Sequence, residues 1–257
     1  MKIHVHKSIF VLIIIIAVWS IITLATDIIL PIFLPSPIDI FASYVGMKDY
    51  IVQAIFFSLG LTLCGFLIGT LAGIFLGLGI AYSRNFMETV GPILEFTRPV
   101  PVFALIPLLL LWFGVGIIPQ ILLIALGVSV VLGVSTYEAV KNMPIVYIRA
   151  AQNLGANKRQ IFQTVLLPYI TPHLIGAVRV GAALSWGLNV AAEFMGAQTG
   201  LGYHMIILQI YLNTAGIIAI IFIYSILAIG LDQIIQKLEI RLTHWTERKK
   251  LSFEKIK

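Results

Sequence analysis

Charged residues are scarce in this chain. Asp, Glu, Lys and Arg make up 11% of its 257 residues, whereas roughly 25% is usual for a soluble domain. Hydrophobic residues make up 60%, and the mean hydropathy is +1.02. The composition therefore excludes an ordinary soluble globular domain and predicts an integral membrane protein.

The chain also has few of the motifs that carry chemistry. Cys64 is its single cysteine, so no internal disulfide can form, and we interpret it as a buried small side chain. Neither the GxxxxGK motif for nucleotide phosphates nor the GxSxG nucleophile motif occurs. The five histidines lack the helical pairing of a zinc site. We therefore expect no bound cofactor and no metal site in this chain.

Six apolar stretches are predicted to cross the membrane as helices. They cover residues 8–25, 51–82, 98–114, 121–135 as the body of a longer helix, 174–196 and 217–235. A cleavable signal peptide is the alternative for the first, but its apolar region is usually only about 7–15 residues long. Residues 27–50 and 84–98 are interpreted as polar connections. The predicted divisions are 1–50 with the first helix and an extracytoplasmic loop, 51–237 with five helices, and a basic tail at 238–257.

Glycine and proline give two of these spans distinct character. In the second span four glycines recur at every fourth residue, namely Gly65, Gly69, Gly73 and Gly77. They form a smooth strip that permits close approach of another helix, with a gating hinge as the alternative interpretation. The third span contains Pro99, Pro101 and Pro107, each of which removes a backbone donor, so a kinked helix is predicted.

The positive charges are distributed unevenly along this topology. Six spans place both termini on one side of the membrane. That side would hold Lys2, Lys7, Arg84, Arg98, Lys141, Arg149, Lys158, Arg159 and the seven cations of the tail. Only Lys48 lies clearly on the other side, and Arg179 lies inside the fifth span. The positive-inside rule then predicts that both termini are cytoplasmic. Because the cations adjoin apolar spans, a nucleic-acid partner is not expected.

A polar island at residues 143–172 interrupts the apolar sequence. Pro144 suits the first turn of a short helix, with Asn142 as a possible cap, and Gly155 suits a left-handed end. A second helix is predicted to start near Asn157. Its apolar stripe consists of Ile161, Phe162, Val165 and Leu166. Such a stripe, next to cationic neighbours, requires a surface that buries it.

Three motifs carry a resemblance to a known family. Ala150-Ala151, three residues, Gly155, nine residues and Val165-x-Leu167-Pro168 resemble the EAA loop of permease subunits of ATP-binding cassette (ABC) importers. Residues 98–114 and 192–202 are similar to the nitrate/sulfonate/taurine branch of the binding-protein-dependent transport family. The resemblance extends over residues 54–236. One departure is Arg149, which stands where the loop motif usually opens with glutamate.

The resemblance implies an all-α, type I importer permease (MetI-like) fold whose EAA loop is cytoplasmic. It implies a multi-pass, non-catalytic subunit of the bacterial cell membrane, with ATP bound and hydrolysed by a separate ATPase. Further implied partners are an extracytoplasmic substrate-binding protein and a second permease copy. The expected solute is a small anion such as a sulfonate, nitrate or taurine, and the alternative is a vitamin precursor such as a pyrimidine or riboflavin-like compound.

In such importers, the resemblance implies, the loop docks on the ATPase as a helix in a groove. The residues carried over to this coupling loop are Ala150, Ala151, Gly155, Asn157, Lys158, Arg159, Ile161, Phe162, Val165, Leu167 and Pro168. The alternative is an amphipathic helix that lies on lipid headgroups, helped by Lys158 and Arg159.

A polar face in the fifth span forms the second candidate site. Ser185, Asn189 and Glu193 recur every four residues, with Trp186 adjacent, and a carboxylate within a membrane span requires a physical reason. This face is predicted to line the translocation path or the dimer interface. A structural carboxylate, hydrogen-bonded between helices, is the alternative. A remote alternative is an intramembrane enzyme, although the nearest candidate partner acid, Asp232, lies toward the opposite side.

Overall fold

The computed structural model describes residues 2–25 and 30–242, and the regular structure of these residues is entirely helical. The helices are α1 (Lys2–Ala25), α2 (Pro37–Gly46), α3 (Lys48–Tyr82), α4 (Arg84–Thr97), α5 (Ile106–Phe113), α6 (Ile117–Lys141), α7 (Ile145–Asn153), α8 (Lys158–Gln160), α9 (Leu167–Phe194), α10 (Leu201–Ile210) and α11 (Thr214–Leu242). The predicted all-α class is confirmed. Most of the predicted basic tail lies outside the described residues.

Four of the described helical segments are long and apolar enough to cross a bilayer, namely α3, α6, Lys158–Phe194 and Thr214–Arg241. Helix α4 and the segment Val102–Phe113 count as a fifth span if they are taken together, although they are bent by 91°. The apolar stretch described within α1 is Phe10–Leu24. The exact count of six spans therefore stays a prediction.

Two segments interpreted as polar connections contain helices. Residues 27–50 include α2, where Ser36 Oγ accepts a hydrogen bond from the Asp39 N–H while the Asp39 carboxylate accepts one from the Ser36 N–H. This reciprocal capping box starts the helix. Residues 84–98 contain α4, whose first turn is capped by the Ser83 side chain. The prediction of a loop at residues 27–50 was wrong for α2, because polar content does not distinguish a loop from an amphipathic helix; the connection at residues 84–98 is itself helical.

The glycine strip of α3 packs against α6, as predicted. Gly65, Gly69, Gly73 and Gly77 are buried and face, in order, Ile124, Ala125, Leu132 and Thr136. A Cβ atom at Gly69 would lie 2.5 Å from the carbonyl oxygen of Ala125. The two backbones therefore approach too closely for any larger residue at this position. Cys64, by contrast, is exposed on α3, so its interpretation as a buried residue was wrong.

Residues 98–114 do not form one continuous helix. A 3-10 turn, Val102–Leu105, follows Pro101, and α5 then extends only to Phe113. Gly114, at φ 72°, ends α5 in a conformation that favours glycine. An eight-residue helix is about 12 Å long, far less than a bilayer core of ~30 Å. The predicted kink is confirmed, and because α5 alone is too short, a span here would be a broken one that includes the segment before α5; that these residues cross the membrane stays a prediction.

The fifth span begins earlier than predicted. Helix α8 continues directly through a π-helical segment, Ile161–Leu166, into α9. The Leu167 N–H bonds to the Phe162 carbonyl, five residues earlier, and Pro168 has no N–H to offer a regular helical bond. The helix that starts near Asn157 is thus the first part of the span and not a separate element. The predicted start at residue 174 was wrong.

Contacts show which helix ends lie together. At one end Tyr82 packs edge-on against Phe162, with ring centroids 5.3 Å apart, and Lys158 lies 4.9 Å above the Tyr82 ring. At the other end Tyr50 stacks on His204 with centroids 4.2 Å apart. We call these the loop end and the α10 end. The α10 end includes α10, a helix that the sequence analysis missed.

Candidate functional site

The loop segment, residues 143–160, is shaped by its own sequence. Helix α7 ends in a turn where Gly155 adopts φ 81°. Its N–H bonds to the Gln152 carbonyl at 2.9 Å, and the Ala156 N–H bonds to the Ala151 carbonyl at 3.0 Å. This is the Schellman pattern, and the predicted left-handed end is confirmed. The predicted cap is wrong, because Asn142 ends α6 and Pro144 precedes α7 without a side-chain cap.

Helix α8 starts with a second reciprocal cap. Asn157 Oδ1 accepts from the Gln160 N–H at 3.0 Å, and Gln160 Oε1 accepts from the Asn157 N–H at 2.8 Å. The two bonds satisfy two backbone donors that a helix start leaves free. The turn between α7 and α8 is therefore held by local bonds at both of its ends.

The predicted apolar stripe is covered by this chain itself. Leu166 is buried, and Phe162 and Val165 pack with it against a cluster that includes Ala139, Met143 and Ile170. Ile161 is half-buried. Leu167 and Pro168, also assigned to coupling, are half-buried as well. These side chains anchor the loop segment to α6 and α9, so this chain itself supplies the surface that the stripe requires.

Other predicted loop residues lie on the surface. Ala150, Gly155, Asn157, Lys158 and Arg159 are exposed, and Ala151 is half-buried. Gly155 has no heavy atom within 4 Å of a built Cβ, so only its backbone conformation requires glycine.

The most exposed apolar side chains of the loop segment were not predicted. They are Ile145 at 56%, Val146 at 61%, Tyr147 at 51% and Leu154 at 88% exposed. A signal was present in the sequence, because the apolar pair Ile145-Val146 lies only a few residues before Ala150, where the motif begins. Ile148, in contrast, packs inward against the cluster that covers the stripe. Helix α7 thus has one anchored side and one free apolar side.

The second candidate site is a buried polar junction of four helices. Glu193 is 1% exposed. Its Oε1 accepts from Ser58 Oγ of α3 at 2.5 Å, and its Oε2 accepts from the Gly202 N–H of α10 at 2.6 Å. Ser58 Oγ in turn accepts from the Leu201 N–H at 2.8 Å. The carboxylate therefore holds the first turn of α10 against α3 and α9.

Asn189 extends the junction to α11. Its Oδ1 accepts from the Tyr224 hydroxyl at 2.9 Å, and its Nδ2 donates a long bond of 3.4 Å to the Ser58 carbonyl. Ser185 does not take part, because its Oγ donates to the Ala182 carbonyl of its own helix. The junction thus consists of Ser58, Asn189, Glu193, Tyr224 and the Leu201 and Gly202 amides.

Sequence reasoning found Asn189 and Glu193 but missed the groups they bind. Ser58 lies 135 residues from Glu193, and no local pattern in the sequence connects them. The Gly200-x-Gly202 pair was the available signal, because a Cβ at either glycine would crowd the Glu193 carboxylate. Gly200 also adopts φ 113°, which favours glycine.

The electrostatics of the junction are unusual for a membrane carboxylate. Among the residues that the structure describes, no cation lies within ion-pair distance of Glu193, and the Ser58 hydroxyl and Gly202 N–H that donate to it are neutral. The positive end of the α10 dipole also faces it. Asp232 bonds to Arg179 at 2.8 and 2.9 Å and is not a partner for Glu193. The acid considered above as a catalytic partner is therefore engaged elsewhere.

Trp186 lies between the polar junction and an open cavity. It packs edge-on against Tyr224 with centroids 6.0 Å apart. Both side chains line an open, mainly apolar cavity of about 290 Å³ between α9, α10 and α11. Ser185, Asn189 and Glu193 are not among the residues that line it. Of the predicted path face, Trp186 alone borders this cavity, and a path role for the other three stays a prediction.

The helical spans and their connecting loop segment define a polytopic membrane subunit. The chain belongs to the family described as binding-protein-dependent transport system inner membrane component, whose model matches residues 69–244. It is 32% identical over 234 residues to the taurine transport system permease protein TauC of Escherichia coli (strain K12), covering 88% of this chain and 84% of TauC.

Two further similarities agree with the family. The formylaminopyrimidine transport permease protein ThiX of Halalkalibacterium halodurans is 29% identical, with 85% of this chain and 88% of ThiX covered. A structure of the MetNI methionine ABC transporter in an inward-facing conformation superposes with a TM-score of 0.60 at 22% identity, covering 79% of this chain and 99% of that one. The chain is thus an ABC importer permease with a MetI-like fold, and the resemblance stated above is confirmed.

Proposed function

We propose that the permease docks a separate ATPase on the free side of the loop segment, and that ATP hydrolysis occurs in that ATPase. The observation that carries the proposal is the exposed apolar surface of Ile145, Val146 and Leu154 on a segment whose other side is anchored. Family membership supports an ABC ATPase as the partner. A large exposed apolar surface outside the spans is typical of a protein contact.

The continuity of α8 with α9 supports a mechanical role for the loop segment. Lys158–Phe194 is one 37-residue helical segment and is about 55 Å long at the usual rise per residue. It extends from the loop segment to Glu193 and the polar junction. A displacement imposed on α8 would therefore reach α3, α10 and α11 through a single helix and its hydrogen bonds. This is the proposed route from ATP hydrolysis to alternating access.

We further propose that the loop end faces the cytoplasm. The described cations at or beside this end include Arg84, Arg98, Lys141, Arg149 and Arg159, whereas Lys48 lies at the α10 end. The positive-inside rule supports this orientation. An extracytoplasmic binding protein would then deliver solute at the α10 end. A second copy of the chain would complete the path, and Leu111 and Trp112, 79% and 64% exposed, are available for such a contact.

The proposed solute is a small anion of the sulfonate or taurine type. This proposal is supported by the similarity to TauC, a taurine transport permease, which extends over most of both chains. The junction also supports an anionic solute. The buried carboxylate oxygens of Glu193 accept hydrogen bonds from Ser58 and Gly202, so they do not face a passing anion. ThiX favours a pyrimidine vitamin precursor as the second candidate.

The docking proposal is tested by capture of the tagged cognate ATPase from detergent-solubilised membranes. We expect Leu154→Ser to reduce capture strongly, because it removes the most exposed apolar side chain of the loop segment. Phe33→Ser is the matched control, since Phe33 is 73% exposed but belongs to the α10 end. Equal capture by both variants and the wild type would exclude this surface as the docking site.

A further inference from the structure

The loop segment lies in a part of the sequence without acidic residues. Residues 139–192 contain no Asp or Glu. Two cations of this stretch pair with acids of other helices, because Lys141 Nζ lies 3.1 Å from Glu95 and Arg179 Nε lies 2.8 Å from Asp232. Lys158 lies over the Tyr82 ring. Within the described ranges, the structure shows no ion pair for Arg149 or Arg159.

Arg149 shares a face with the exposed apolar residues of α7. Residues three and four apart on a helix are neighbours, so Arg149 lies beside Val146 and Ile145. All three are exposed. Helix α7 cannot turn this face away, because Ile148 packs inward and the Gly155 turn holds its end. The free face of α7 is therefore an apolar surface with one unpaired guanidinium at its centre.

We propose that the surface receiving α7 is an apolar groove with a carboxylate positioned for Arg149. This inference rests on the proposed ATPase docking and specifies the chemistry of that partner. The groove would contain a carboxylate that accepts two hydrogen bonds from the Arg149 guanidinium. A guanidinium and a carboxylate match in a two-bond geometry that a lysine cannot reproduce. The ion pair selects the cognate ATPase against those that have a basic residue at this position.

The arrangement fits a protein groove better than a lipid surface. A helix lying on headgroups directs its apolar residues into the lipid and its cations to the polar side. Here Ile145, Val146 and Arg149 lie on one face, so burial of the two apolar residues also buries the guanidinium. Such burial requires a compensating charge inside the interface.

The test uses the full-length permease in nanodiscs of zwitterionic lipid with the cognate ATPase, whose affinity is measured at several salt concentrations. We expect Arg149→Glu to weaken binding by about tenfold or more, and Arg149→Lys to weaken it less. Wild-type affinity should fall as salt rises, and Arg149→Gln should reduce that dependence. Arg84→Glu is the control, because Arg84 is exposed and paired with Glu88 four residues away; it should bind as the wild type does.

Rescue identifies the partner group. One Asp→Lys or Glu→Lys change among the ATPase residues that cross-link to α7 should restore the affinity of the ATPase for the Arg149→Glu permease. The same changed ATPase should not gain affinity for the wild-type permease. If the Arg149→Glu permease binds the ATPase as tightly as the wild type does, while Leu154→Ser loses docking, this inference is overturned and the docking proposal stays intact. Unchanged docking in both variants would overturn both. If the affinity for the ATPase depends on Arg149 only in nanodiscs that contain anionic lipid, the guanidinium binds lipid headgroups. That result would also overturn the inference.

Discussion

Replacement of Glu193 should destabilise the protein through the first turn of α10. In Glu193→Ala, the Ser58 hydroxyl and the Gly202 N–H lose the carboxylate oxygens that now lie 2.5 and 2.6 Å away. A buried donor without an acceptor costs about 1–3 kcal/mol, so two such groups cost roughly 2–6 kcal/mol. In Glu193→Gln, one oxygen remains and an amide N–H₂ group faces the other donor, so we expect a loss of about 1–3 kcal/mol.

Two measurements on one preparation check this expectation. Detergent thermostability should rank the wild type above Glu193→Gln and Glu193→Ala last, and hydrogen exchange should accelerate at the first amides of α10. Ser185→Ala is the matched control, because Ser185 is equally buried but bonds only within its own helix; its effect should be small. Wild-type stability and exchange in Glu193→Gln, combined with altered solute selectivity, would refute the structural account and favour a path role.

Three further predictions concern packing, the loop segment and orientation. Gly69→Ala should lower thermostability by about 1–3 kcal/mol through overpacking against α6, whereas Gly60→Ala, which meets no atom within 4 Å, should not; equal stability of the two variants would contradict the packing. Gly155→Val should leave membrane insertion intact but reduce ATPase capture, because φ 81° is strained for a β-branched residue; capture at the wild-type level would argue against a role for this turn. In a background without the native cysteine, an impermeant thiol reagent applied to intact cells should label a cysteine at Lys48 and not one at Gln152, and the reverse pattern would invert the topology.

The sequence predicted best those features that depend on local physics. The end of α7 at Gly155 follows from the conformational freedom of glycine and from backbone bonds within six residues. The start at Asn157 likewise follows from a side chain that caps its own helix. The glycine strip of α3 was readable because a four-residue repeat places every member on one helical face.

The remaining features depend on contacts between distant parts of the chain. Ser58 and Tyr224 belong to the polar junction because three-dimensional packing brings α3 and α11 to Glu193, and neither has a distinctive local motif. The stripe at Phe162 was predicted to need a covering surface, but the sequence alone does not show that α6 supplies it. Residues 98–114 had the apolar composition of a span, but the composition alone did not show that Pro101 and Gly114 divide them into short helical pieces.

Transport by the reconstituted complex tests the central claim most directly. Vesicles would contain the permease and its ATPase, and the external solution would contain the cognate binding protein and the solute that stabilises it. The account predicts ATP-dependent accumulation of that solute with the wild type, loss of accumulation with Leu154→Ser, and retained accumulation with Phe33→Ser. Accumulation by the permease without the ATPase, or full ATP-dependent uptake by Leu154→Ser, would contradict it.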